Sequence, residues 1–245
     1  MKKLIVASTS TIHGSGYLEY LLPTLSVHFK NVKTLLFIPY ARPSGISYAE
    51  YTTKAKSAFK SMHIDVKGIH EFDNPKEAVL NAEAIFTGGG NTFELVNQIY
   101  KNNIFDVLKE VVESGTPYLG TSAGSNICGV SMKNTNDMPI VYPPSFKTLE
   151  FIPFNINAHY LDPIEGSTHM GETRETRIKE YHIYNETSVI GLREGSWLKV
   201  DGDSIILQGE LSARVFKQNE IPFELESGSD VVVWVAQFES KLVAK

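Results

Sequence analysis

Four short apolar runs, each followed by a stretch with helical spacing, constrain this chain more than any other feature. The runs are Leu4 to Ala7, Leu35-Leu36-Phe37-Ile38 closed by Pro39, Ala84 to Thr87, and Tyr118-Leu119-Gly120. Between them Leu18, Leu21, Leu22, Leu25 and Phe29 recur as a helix requires, as do Tyr48, Tyr51, Ala55, Ala58 and Met62. Two further helices are expected, from Thr92 to about Tyr100 and from Ile104 to Val112, the second stopped by Gly115-Thr116-Pro117. Apolar strands without polar alternation need cover on both faces, and helices between them supply it. The pattern therefore predicts an α/β fold with a doubly wound, mainly parallel sheet. After about Pro139 the pattern changes: Ser188 to Leu192, Trp197 to Val200 and Ser204 to Leu207 read as antiparallel additions near one edge. No Pro-, Gly- or Ser-rich linker, repeat or low-complexity stretch interrupts the chain, so one domain over residues 1–245 is expected.

Bulk properties narrow the function classes. A chain of 245 residues with 42% hydrophobic and 21% charged residues can bury a full core. Its formal net charge of −5, without a basic stripe, argues against nucleic acid as a partner. The single cysteine, Cys128, allows neither an internal disulfide nor a cysteine-built zinc site, which suits the cytoplasm. The apolar run after Met1-Lys2-Lys3 stops at Ser8-Thr9-Ser10-Thr11, too soon for a signal peptide. Nothing approaches the ~18 apolar residues of a membrane span. No cofactor and no metal is implied.

Chemistry concentrates at Gly120-Thr121-Ser122-Ala123-Gly124. This fits the G-x-S-x-G elbow, a strand-to-helix turn so sharp that its neighbours must be small; it lifts the serine above the sheet. Read without chemistry, the same five residues make an ordinary tight βα turn. Gly88-Gly89-Gly90-Asn91 ends another expected strand, where glycines permit close backbone approach. A phosphate cradle there would lack G-x-G-x-x-G and a following Lys-Ser/Thr, so an oxyanion hole is the more economical reading. Both loops should meet beyond the carboxyl ends of the strands. Of seven histidines, His13, His28, His63 and His70 read as surface residues. His159, after the strand-like Phe154 to Ala158, stands where a base for Ser122 could sit. His169, with Glu172 three residues on, is too thin a pairing for a metal site.

Several separate blocks carry a resemblance. Gly88 to Phe93, Gly120 to Asn126, Asn134 to Val141, Ile156 to His159, Gly171 to Glu175 and Ile190 to Gly195 stand in order along the first ~217 residues and resemble peptidase E, the α-aspartyl dipeptidase family. The resemblance implies a class I glutamine amidotransferase-like (flavodoxin-like) fold and a serine exopeptidase that hydrolyses dipeptides with an N-terminal aspartate. It implies Ser122 as nucleophile, His159 as base and Glu194 as the acid orienting it, with Asp137 the alternative third member. It implies backbone donors to an oxyanion at Gly90 and Ala123, and Arg174 as the group meeting the substrate's aspartate. The small peptide substrate is the expected partner, with no nucleic acid, no membrane, and a monomer or homodimer. Other readings of the same fold are a cyanophycinase-like hydrolase of β-aspartyl peptides, a non-catalytic binding protein and a nucleotide-binding protein. Ala158 stands where a proline is common, and Tyr160-Leu161-Asp162-Pro163 departs from the usual loop after the histidine.

Overall fold

In the computed structural model, which describes residues 1–163, 166, 168 and 171–236, the four apolar runs become neighbouring strands of one seven-stranded sheet. These are β1 (Lys3–Ala7), β2 (Thr34–Ile38), β4 (Ile85–Thr87) and β5 (Tyr118–Thr121), joined by β3 (Asp65–Gly68), β8 (Trp197–Asp201) and β9 (Ser204–Gln208). The order is β3-β2-β4-β5-β1-β8-β9. The first five run parallel; β8 pairs antiparallel with β1, and β9 antiparallel with β8. The strand β3 escaped the sequence reading because it is a short edge strand with alternating exposed and buried residues and only one large apolar side chain, Val66.

Alternation along β1 and β2 explains the two layers of helix. Ile5, Ala7, Leu35 and Phe37 point to one face, where α1 (Leu22–His28) and α2 (Tyr48–Phe59) bring Leu25, Tyr51, Ala55 and Phe59. Leu4, Val6, Leu36 and Ile38 point to the other, covered by Leu95, Val96 and Ile99 of α4 (Thr92–Lys101) and Val107, Leu108 and Val112 of α5 (Phe105–Ser114). Each such side chain, fully buried, contributes roughly 1.5–3 kcal/mol relative to exposure. A shorter helix, α3 (Pro75–Leu80), follows β3. The helix starts are written locally: Ser47 and Glu50 form a reciprocal capping box on α2, and the Asn91 side chain accepts the Glu94 amide at the head of α4.

One expectation is corrected. Residues 188–192 do not join the edge of the main sheet. They form β7 (Val189–Leu192) of a second sheet, ordered β11-β10-β7-β6, with β6 (Asn155–Ala158), β10 (Ala213–Phe216) and β11 (Phe223–Leu225). There β7 pairs parallel with β6 and antiparallel with β10. The physical reason lies partly at Gly191: a Cβ there would fall 2.6 Å from the Tyr160 ring, so the bare backbone lets that ring close over the strand. The helix α7 (Arg174–Tyr184) packs Ile178 and Tyr181 against the same cluster as Tyr160, Val189 and Phe216. Two further short α-helices are α6 (Ala123–Asn126) after β5 and α8 (Val231–Ala236). Among the described residues, no helix is long and apolar enough to cross a membrane.

His28, expected at the surface, is half-buried beneath β5, where its Nε2 donates to the Tyr118 carbonyl at 3.2 Å. Burial pushes the imidazole down to about 4, with Lys3 and Lys199 adding to the shift against the opposing Tyr118 bond. The unfolded chain binds that proton near the ordinary histidine value of about 6.5, and the native state does not. Stability should therefore fall as the pH drops from about 6.5 toward 4. His28→Asn, which can still donate to Tyr118, should remove ~1–2 kcal/mol of that loss. Denaturant unfolding of both proteins at pH 7, 5.5 and 4.5 checks this; parallel curves would contradict it.

Candidate active site

The elbow forms because three backbones crowd together at the carboxyl edge of the sheet. Ser122 has φ 54° and ψ −114°, a conformation that costs a non-glycine residue about 1–3 kcal/mol. The surroundings hold it there. Its N–H donates to the Ala7 carbonyl at 3.1 Å, and its own carbonyl accepts the Ser125 and Asn126 amides at 2.9 Å each. Ser125 Oγ donates to the same Ala7 carbonyl at 2.6 Å. Any Cβ on Gly124 would collide with the carbonyl of Thr87, the last residue of β4. Glycine at 124 thus lets the turn press against the neighbouring strand.

Ser122 faces His159, and His159 faces Glu194. Nε2 of the ring lies 2.9 Å from Ser122 Oγ, and Nδ1 lies 2.6 Å from Glu194 Oε1. A carboxylate only accepts, so Nδ1 carries the ring proton and Nε2 is left to accept from the serine hydroxyl. The imidazole and carboxylate remain 37% and 47% exposed, which leaves the site open to a substrate and to water.

Each partner arrives from a different element. His159 follows β6 with φ 54°, and its N–H donates to Ser8 Oγ at 2.9 Å. Ser8 Oγ, just past β1, in turn donates a hydrogen bond to the Leu192 carbonyl at 2.6 Å. One buried hydroxyl thus ties the histidine to the strand end that leads to Glu194. Arg193 fastens the same corner from below. Its guanidinium donates twice to Asp162, at 2.8 and 2.7 Å, and twice to Glu224, at 2.9 and 3.1 Å. The loop after His159 and the turn carrying Glu194 are clamped together by this fork. Burial would push the Glu224 carboxyl up, but bonds from Arg193 and Ser212 hold it at about 2. Asn126 links the remaining elements: its Nδ2 donates to Thr92 Oγ1 at 3.0 Å, and its Oδ1 accepts from Ala158 N at 3.4 Å. Ser8, Arg193 and Asn126 carried no chemical role in the sequence reading. The signal available for Ser8 was its place immediately after a strand's carboxyl end.

The alternative acid, Asp137, does other work. Its Oδ2 accepts from the Thr92 N–H at 2.7 Å and from Thr135 Oγ1 at 3.2 Å, which fixes the head of α4, and no hydrogen bond joins it to His159. The Nδ1 position it would need is taken by Glu194.

The glycine loop lies against the elbow. A Cβ on Gly89 would fall 2.8 Å from Ser122 Cβ and 3.4 Å from its Oγ, while Gly90, at φ 150°, packs on the Ala41 carbonyl. Among the described residues the N–H groups of Gly90 and Ala123 meet no acceptor. Arg174 begins α7, half-buried; it has no ion pair or hydrogen-bond acceptor among the described residues. Burial and the nearby Arg177 pull its guanidinium below its ordinary value, and the charge of Asp137 opposes them. Cys128 is buried beside the elbow, its Sγ against the Gly124 carbonyl, and burial pushes the thiol far up, so it is no nucleophile. No group of three His, Cys, Asp or Glu side chains that could hold a metal comes together among the described residues. His169 lies outside them.

Residues 4–208 match the family described as Peptidase family S51. The chain belongs to that family. Its relatives include peptidase E of Streptomyces coelicolor, 46% identical over 93% of each chain. A Drosophila melanogaster protein named "Probable alpha-aspartyl dipeptidase" is 43% identical over 94% of this chain and 96% of its own. Among solved structures, a peptidase from an acI-B1 Actinobacterium superposes with a TM-score of 0.72 over 94% of this chain and 96% of that one, at 17% identity. A structure from Listeria monocytogenes EGD-e does so with a TM-score of 0.65 at 20% identity, over 85% of this chain and 98% of that one. At such identities the two structures bear on the fold, which is shared nearly end to end.

Arg193→Met leaves Asp162 and Glu224 without their cation. It should lower the unfolding free energy by about 2 kcal/mol. It should also slow labelling of Ser122 by a fluorophosphonate by about tenfold, because the Glu194 turn loses its register on His159. Denaturation and labelling rates, measured together, test the clamp; unchanged labelling would show that Glu194 is positioned without it.

Proposed function

We infer that this chain is a serine dipeptidase that removes an N-terminal aspartate from dipeptides, working through Ser122, His159 and Glu194. The observation that carries the reading is the continuous array from Glu194 Oε1 to His159 to Ser122 Oγ, with contacts of 2.6 and 2.9 Å, on an elbow within a family S51 chain. Ser122 Oγ attacks the scissile carbonyl while His159 Nε2 takes its proton. Glu194 holds Nδ1–H and stabilises the imidazolium that forms. The Gly90 and Ala123 amides meet the developing oxyanion, having no other acceptor among the described residues to give up. Collapse expels the second residue as an amine, which takes the proton back from Nε2, and leaves an aspartyl ester on Oγ. Water, deprotonated by the same imidazole, then releases aspartate.

Arg174 supplies the preference for aspartate. A guanidinium grips a carboxylate through two parallel bonds, a geometry that a carboxylate one methylene farther out does not meet. Its half-burial without an ion pair or hydrogen-bonded acceptor among the described residues supports this, because Asp137 acts on it only at a distance and desolvating such a cation is unfavourable until a ligand arrives. The name of the Drosophila relative, "Probable alpha-aspartyl dipeptidase", supports aspartate as the residue to be recognised.

A panel of Asp-Leu, Glu-Leu, Asn-Leu and β-Asp-Leu tests both parts. Wild-type protein should cleave Asp-Leu best, and Ser122→Ala should lose roughly a thousandfold or more while unfolding normally. Retained turnover in a folded Ser122→Ala protein would sink the serine mechanism. A preference for β-Asp-Leu would point to a β-aspartyl hydrolase. Arg174→Met should lower kcat/KM for Asp-Leu by about 30- to 1000-fold, ~2–4 kcal/mol, and narrow the gap to Asn-Leu. An unchanged Asp-Leu to Asn-Leu ratio would place aspartate recognition elsewhere.

A further inference from the structure

An open cleft of about 730 Å³ lies between the loop after β2 and the head of α4, lined by Arg42, Ser47, Tyr48, Glu94 and the exposed Ile140. Neighbours of its lining residues connect it to the loop beside the nucleophile. The Ala41 carbonyl accepts the Asn91 amide at 2.8 Å and packs on Gly90. The Arg42 guanidinium lies 5.2 Å from the centroid of the Tyr51 ring, and Tyr51 Oη donates to the Gly89 carbonyl at 3.2 Å. Gly89 in turn touches Ser122. Asn91 Nδ2 donates to the Met138 carbonyl at 2.8 Å and so ties the wall that carries Ile140 to the same loop.

Two charges in this cleft are unbalanced. Arg42 makes no ion pair among the described residues. Glu94 is only 8% exposed, yet its carboxylate receives just the neutral amides of Asn97, at 3.3 Å, and Gln98, at 2.7 Å. The head of α4 favours a negative charge there, but a buried carboxylate normally has a cation as well, and none of the described residues supplies one. The third charged group, Glu50, is committed to capping α2.

Resting on the dipeptidase reading above, we propose that this cleft seats the residue that leaves, with Arg42 on its terminal carboxylate and Glu94 on a basic side chain. The preferred substrates are then aspartyl-lysine and aspartyl-arginine. With the scissile carbonyl between Ser122 and the Gly90 amide, only one residue remains beyond it, its Cα about 3.8 Å from that of the aspartate. Its carboxylate is the one anion a dipeptide offers on that side, and Arg42 is the cation nearest the Gly89 loop in the cleft. A lysine or arginine side chain reaches past it with an apolar stem along Ile140 and delivers the missing cation to Glu94.

The test compares kcat/KM for Asp-Lys, Asp-norleucine, Asp-Leu and Asp-leucinamide on the wild-type protein, Glu94→Gln and Arg42→Met. Norleucine keeps the stem of lysine and lacks its charge; leucinamide lacks the carboxylate. Wild-type protein should favour Asp-Lys over Asp-norleucine, and Asp-Leu over Asp-leucinamide, each by about tenfold in so open a cleft. Glu94→Gln should bring the first ratio to about one, and Arg42→Met the second. Either wild-type ratio at one or below, or either ratio unmoved by its substitution, overturns the assignment. That failure is distinct from failure of the dipeptidase reading, in which none of the four peptides would be cleaved, or Ser122→Ala would cleave them as wild type does. The wild-type ratios decide the matter even if a variant does not fold.

Discussion

The site depends on how closely two backbones approach. The elbow can stand where it does only because Gly124 presses on the Thr87 carbonyl at the end of the adjacent strand, β4. That contact sets the height of Ser122 above the sheet and brings the following loop, Gly88 to Gly90, beside the serine. Side chains at either place would separate β4 from the turn. The positive φ of Ser122 is the strain that accompanies this arrangement, and the bonds to Ala7 at the end of β1 offset it. Nucleophile, candidate oxyanion donors and the head of α4 therefore share one rigid frame of three parallel strands.

The other half of the machinery hangs on the second sheet, whose Ile156, Ile190, Leu192 and Val215 share the main sheet's apolar core, and polar bonds beside the site add to that packing. Ser8, just past β1, receives the His159 amide and donates to the Leu192 carbonyl, so one small hydroxyl ties the ends of β6 and β7 to the main sheet. Arg193 then locks the two loops that bear the imidazole and its carboxylate. A guanidinium suits this place because its planar fork fixes direction as well as distance, and its charge cannot be titrated away. The His159–Glu194 pair itself is half open to solvent, so its geometry comes from this support and not from burial.

Charge is distributed with the same economy around the crevice. Asp137 fixes the head of α4 and sits within electrostatic reach of Arg174. Arg42 and the buried Glu94 lie in the neighbouring cleft. Neither Arg174 nor Arg42 makes an ion pair among the described residues. An enzyme whose substrate carries several charges within two residues needs such groups pre-placed and unsatisfied, since a cation already paired has no attraction left for a ligand.

Much of this was legible in the residues. Unbroken apolar runs separated by helical spacing specify a parallel sheet covered on both faces, because no other arrangement buries them. The elbow glycines specify a sharp turn because no larger residue fits there. Those are local demands, and local sequence answers them. It also names His159 as a candidate, since a histidine at a strand end past an elbow has few other uses. What the sequence could not decide was partnership across distance. Glu194 in Arg193-Glu194-Gly195 and Asp137 in Asn136-Asp137-Met138 look alike as turn carboxylates, and only the pairing of β7 with β6 puts the first beside the imidazole. Val189 to Leu192 are buried throughout, unlike the alternating β8 and β9, but the sequence does not say which sheet takes them, and the close fit of the Tyr160 ring over Gly191 is a tertiary contact. Ser8 and Arg193 are ordinary polar residues until folding brings Leu192, Asp162 and Glu224 to them. The sequence determined which segments must be buried and where the chain must turn, because those follow from near neighbours; the tertiary structure decided which charges and hydroxyls meet, because such contacts join residues 31 to 184 positions apart.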